Sequence, residues 1–89
     1  MSGRDKLEAK ARRNPGSLRI EEVVRLAEDA GFDVTRTTRG HFGLAHQRLT
    51  YTVGLAEPHG SGESFVKSVY VRKLLNAIDE LRGDASAEE

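Results

Sequence analysis

His41 is the residue of this 89-residue chain best placed to do chemistry. It follows Arg39-Gly40, a pair suited to a two-residue hairpin turn because glycine takes positive φ at little cost. It opens a run in which the next residues of the same alternation, Gly43 and Ala45, are small. An imidazole titrates near neutral pH and can take or give a proton during a reaction. Small neighbours on a solvent-facing sheet surface leave room for a ligand against it. Patterning alone does not separate such a histidine from an idle surface residue.

The other two histidines read differently. His46 falls on the core-side alternation near a turn, which suits packing or hydrogen bonding. His59 sits in the loop over 57–63 (EPHGSGE), where a ligand or partner contact is a better reading than catalysis. The spacing of His41, His46 and His59 matches no zinc motif, and no carboxylate cluster accompanies them. The chain has no cysteine, which removes disulfides and thiolate metal sites. Gly60-Ser61-Gly62 lacks the lysine and the spacing of a phosphate-binding loop. No cofactor is therefore expected.

Two helices and three strands must position His41. The basic stretch over 6–13 (KLEAKARR) favours helix but brings only Leu7 and Ala11 to one side, so a short, partly frayed helix is expected. Asn14-Pro15-Gly16 breaks it. Ser17 is a candidate cap for the next helix, with Glu21 and Glu22 favourable in its first turns. Ile20, Val23, Val24, Ala27 and Ala30 recur at helical spacing, and Gly31 stops them. Strands are expected over 32–38, 41–46 and 49–56, joined at Arg39-Gly40 and Gln47-Arg48. Ser68 is a candidate cap for the last helix, where Val71, Leu74, Leu75, Ile78 and Leu81 form an apolar stripe ending at Gly83.

Alternation assigns the sheet faces. Phe42, Leu44, Leu49, Tyr51, Val53 and Leu55 point toward the core. His41, Gly43, Ala45, Thr50, Thr52 and Gly54 point away. The expected fold is α+β: a small two-layer α-β-β-β-α sandwich. A three-stranded antiparallel sheet has both main helices on one face, and a short N-terminal helix precedes it. The domain would span 17–82, with a helical extension over 1–16 and a flexible acidic tail over 83–89.

Fourteen Lys/Arg balance fourteen Asp/Glu, so overall charge gives no sign of a polyanionic partner. Its distribution is uneven. Positions 10–73 carry eleven cations and seven acids, a net +4, and from Leu74 onward five acids face only Arg82, a net −4. The N-terminal stretch is too polar for a signal peptide, and no apolar run approaches membrane-spanning length. A soluble cytoplasmic protein is the expectation.

The order of these pieces resembles the HicA family of mRNA-interferase toxins, whose fold is like a double-stranded-RNA-binding domain. The likeness spans 6–81. Arg13-Asn14-Pro15 before an amphipathic helix, Ala30-Gly31-Phe32 at the helix–strand junction, and Gly40-His41 with His46 later in the strand carry its first half. Pro58-His59-Gly60, then Val66-Lys67 and Tyr70-Val71-Arg72 with Leu74-Leu75, carry the second. Two positions depart from the family. Where many members have Gly-Ser-His, this chain has Arg39-Gly40-His41, and Ser68 stands where proline is common. The first departure bears on activity, since a serine beside the histidine would help to position it.

The resemblance implies the toxin of a type II toxin–antitoxin system. It would be a metal-independent endoribonuclease that cuts mRNA and blocks translation, held in check by a HicB-type antitoxin. His41 would act as general acid/base on the 2′-OH or the 5′-oxygen leaving group. Arg39, Lys67 and Arg72 would contact RNA, Arg39 stabilising the charge of the transition state and the other two holding backbone phosphate. The alternative is a non-catalytic RNA-binding or protein-interaction module of the same fold.

Overall fold

In a computed structural model of the chain, which describes residues 3–58 and 65–83, helix α1 (Gly3–Arg13) leads through a 3₁₀ turn at Pro15–Ser17 into α2 (Ile20–Asp29). Strands β1 (Asp33–Arg36), β2 (His41–Ala45) and β3 (Val53–Ala56) follow, and α3 (Ser68–Arg82) closes the chain. The sheet is antiparallel throughout, in the order β1-β2-β3. The α+β fold is thus the one expected.

The register explains the two faces. Val34 pairs with Leu44 and Leu44 with Val53; Arg36 pairs with Phe42 and Phe42 with Leu55. Leu44, Val53 and Leu55 are buried, together with Val23, Leu26 and Ala27 of α2 and Val71, Leu74, Leu75, Ala77 and Ile78 of α3. Each fully buried leucine or valine contributes roughly 1.5–3 kcal/mol relative to exposure. The opposite face runs Thr35–Gly43–Gly54 across its middle and His41–Ala56 at one end. Gly54, Ala45 and His41 there are exposed.

Helix ends follow local chemistry. At the end of α2, Gly31 takes φ +95° while its N–H donates to the Glu28 carbonyl and that of Phe32 to the Ala27 carbonyl. This is a Schellman closure. Gly83 closes α3 at φ +83°. The starts differ from expectation. Arg19, not Ser17, occupies the N-cap of α2, and the Glu22 carboxylate accepts the Arg19 N–H at 2.9 Å. The Ser17 hydroxyl instead donates to the Asn14 carbonyl at 2.8 Å, closing the preceding turn. Ser68 lies inside α3, with Lys67 at its cap, because the Val66 N–H is held extended against the Leu18 carbonyl at 2.8 Å.

Helix α1 is not frayed. Ala11 is fully buried in the common core, and Leu7 packs against it. Charge completes the docking. Arg82 of α3 donates twice to Glu8, at 2.6 and 2.7 Å, and Arg12 donates to Asp79 at 2.6 and 3.3 Å. Lys10 reaches Glu22 of α2 at 2.7 Å. A narrow apolar side suffices because ion pairs to two other helices flank it.

The strands are shorter than alternation suggests, and β3 begins at Val53, not Leu49. Outside the ladder the alternation loses its meaning. Leu49 still packs on the core, but Tyr51 is 44% exposed and its hydroxyl donates to Glu80 at 2.6 Å. Most of the expected loop over 57–63 and all but the first residue of the expected tail over 83–89 lie outside the described residues.

Candidate active site

Three residues, not two, make the turn before His41. Thr38–Gly40 form it, and both Arg39 (φ 62°, ψ 35°) and Gly40 (φ 77°) are left-handed. The Thr37 N–H and hydroxyl both donate to the His41 carbonyl, at 2.8 and 3.0 Å. On the other side the Glu57 N–H donates to the Gly40 carbonyl at 2.8 Å. The backbone that carries His41 is therefore tied to both neighbouring strands.

The His41 side chain is exposed and has no hydrogen-bond partner among the described residues. It lies on the bare face opposite Ala56, and Gly43, two residues on, removes a side chain from the surface next to it. Such an imidazole is open to solvent and to a ligand, and no side chain among the described residues bonds its nitrogens.

Two residues that the sequence reading did not single out buttress the turn. Arg36 approaches the Glu57 carboxylate at 3.4 Å and stacks over the Phe42 ring at 5.1 Å. Glu57 lies against Gly40. They were missed because Glu57 sits beyond the end of a strand, where alternation carries no information about its contacts. The exposed pair contributes little by itself; its importance is positional.

His46 packs. Its ring meets Phe32 edge-on at 5.4 Å, and its Nδ1 accepts the Arg48 N–H at 3.1 Å. Its Nε2 stands 3.2 Å from where a Cβ on Gly31 would be. His59 lies outside the described residues.

The expected RNA contacts fall into two groups. Arg39 is exposed at the tip of the turn, two residues from His41. Lys67, at the N-cap of α3, and Arg72, within it, are exposed, and α3 belongs to the layer covering the other face of the sheet. No hydrogen bond or ion pair among the described residues joins them to His41 or Arg39. Lys67, Arg72 and Lys73 also have no carboxylate partner there, unlike Lys10, Arg12 and Arg82.

Carboxyl groups with displaced titration lie away from His41. The Arg82 hydrogen bonds hold Glu8 below its ordinary value, against burial and with help from Arg12. The Lys10 hydrogen bond does the same for Glu22, with the Arg19 N–H adding to it. These groups fasten α1. Among the described residues, no three His, Asp or Glu side chains gather to hold a metal ion, and no helix is long and apolar enough to cross a membrane. Comparisons of the chain with protein-family models, curated proteins and solved structures find no match.

Proposed function

We propose that this chain is a metal-independent endoribonuclease of the HicA type, acting in the cytoplasm as the toxin of a type II toxin–antitoxin pair. In this reading His41 is the general acid/base for cleavage of mRNA, and Arg39 lends positive charge beside it. Lys67 and Arg72 hold backbone phosphate, and a HicB-type antitoxin covers the site. The observation that carries the reading is His41, exposed on the open sheet face and without a side-chain hydrogen bond among the described residues. Transfer of the 2′-OH proton to the imidazole lets the 2′-oxygen attack phosphorus. The imidazolium so formed returns that proton to the departing 5′-oxygen as the P–O5′ bond breaks, leaving a 2′,3′-cyclic phosphate end and restoring neutral His41. A positioned imidazole contributes roughly 10²–10⁴-fold to such a step.

The test is inducible expression of the parent chain beside His41→Ala, with growth and total RNA followed in both. Arrest and mRNA loss with the parent only is the expected result. Equal arrest by the variant removes His41 from the chemistry. The separation of Lys67 and Arg72 from His41 favours one second reading, an RNA-binding module that does not cut. Purified chain that binds RNA and leaves it intact selects that reading.

A further inference from the structure

We infer that Phe65, with Arg19 stacked on its ring and Lys67 close by in the chain, is a stacking site for an unpaired RNA base on the helix side of the molecule. The inference rests on the RNA reading above for the class of polymer bound, and is independent of cleavage.

Phe65 is 44% exposed, and Tyr51 and Val69 are the other large apolar side chains exposed among the described residues. Tyr51 is accounted for by its hydroxyl, which donates to Glu80. Phe65 has no polar atom to account for its exposure. The chain beside it is anchored. Val66, next in the chain, is buried, and its N–H is bonded to the Leu18 carbonyl. That bridge sets Arg19 beside Phe65, and the guanidinium carbon lies 5.1 Å from the ring centre. A ring braced by an arginine and still partly open to solvent is a ready platform for a second flat π-system.

Charge selects the ligand. Every charged residue from Phe65 to Ile78 is a cation, namely Lys67, Arg72 and Lys73, and none has a carboxylate partner among the described residues. A ligand that offers flat rings and repeated negative charge suits an exposed ring followed in the chain by exposed cations. Single-stranded RNA does so, since its bases are free to leave the stack. A duplex presents its phosphates to the lysines and arginine but keeps its bases away from Phe65. The site thus favours unpaired RNA, although it sits on a fold resembling a duplex-binding domain.

The test uses the full chain carrying His41→Ala, so that the probe survives, with a fluorescein-labelled 12-nucleotide oligouridine and a 12-base-pair RNA duplex read by anisotropy. Phe65→Leu keeps an apolar side chain at an exposed position and lacks the ring. It is expected to weaken oligouridine binding roughly 5- to 100-fold with an unchanged salt slope, and to leave duplex binding as it was. Lys67→Ala is expected to weaken both probes and to lower the salt slope by about one. The chain has no tryptophan, so Phe65→Trp supplies a single reporter whose emission oligouridine should quench by stacking.

Unchanged oligouridine affinity in Phe65→Leu, or unquenched Phe65→Trp emission at saturation, overturns the inference. So does a Phe65-dependent protein complex that forms in place of any RNA complex. Cleavage by the chain with His41 intact is scored separately. Cutting with no effect of Phe65→Leu on binding removes this site and leaves the nuclease. Phe65-dependent binding without cutting keeps the site and removes the nuclease. No binding of either RNA overturns both.

Discussion

Glu57 occupies the space that a side chain on Gly40 would need. A Cβ at Gly40 would stand 3.2 Å from both the Cβ and Oε1 of Glu57, and the glycine's φ of +77° is one that side chains disfavour. A serine here, as the proposed HicA reading would place it, therefore fits this turn only with strain. Gly40→Ser and Gly40→Ala should each lose about 1–2 kcal/mol in urea denaturation and gain no activity. Gly54→Ala is the control. A Cβ there meets none of the described residues within 4 Å and φ is not positive, so its stability should stay within about 0.5 kcal/mol of the parent. Equal stability of Gly40→Ser and parent would show that the turn relaxes around a side chain.

The two described histidines should separate stability from function. His41 makes no side-chain hydrogen bond among the described residues, so His41→Ala should unfold at the parent's urea midpoint while losing RNA cleavage about 10²-fold or more. His46 packs on Phe32 and accepts the Arg48 N–H. His46→Ala should lose about 1–2 kcal/mol of stability and keep its cleavage rate below the unfolding transition. The reverse pattern would exchange the roles of the two residues.

Periodicity reports burial only where an element continues. The stripes of α2 and α3 were legible because 3.6-residue spacing runs through them. Leu26, which is fully buried, lies outside the stripe of Ile20, Val23, Val24, Ala27 and Ala30. Alternation placed His41, Gly43 and Gly54 on the open face correctly. It failed at Tyr51, which precedes the ladder. Docking of α1 was not legible because it depends on Glu8 meeting Arg82, 74 positions away, and no local pattern encodes such a partner. The same holds for Arg19 over Phe65 and for Glu57 against Gly40. The candidate site was legible at His41 and Arg39, where a turn signal and a strand signal adjoin.

Acid should release α1 before it unfolds the sheet. Glu8 and Glu22 titrate below their ordinary value of 4.5 in the folded chain, held there chiefly by Arg82 and Lys10. A carboxyl group lowered on folding stabilises the fold above its unfolded value. That contribution fades as pH falls below about 4.5 and through the folded value. Stability should thus be level from neutral pH to about pH 5 and fall steeply below. Glu8→Gln should lose about 1–2 kcal/mol at pH 7, discounted for the partly exposed arginines, and flatten the acid fall. Urea midpoints from pH 2.5 to 7 measure both. An acid limb of unchanged steepness in Glu8→Gln would assign the acid sensitivity elsewhere.

Arg39 should trade stability against function. An arginine at φ 62° and ψ 35° sits where L side chains are strained by about 1 kcal/mol. Glycine removes that strain, partly offset by the extra freedom it gives the unfolded chain. Arg39→Gly should therefore gain about 0.5 kcal/mol in urea denaturation. If Arg39 supplies positive charge at the scissile phosphate, the same substitution should slow RNA cleavage at least tenfold, and Arg39→Lys should recover part of the rate by keeping the charge. Rising stability with falling cleavage identifies a residue kept at the turn for its charge. A gain in stability with unchanged cleavage would leave Arg39 outside the chemistry and His41 without a cationic neighbour in its own turn.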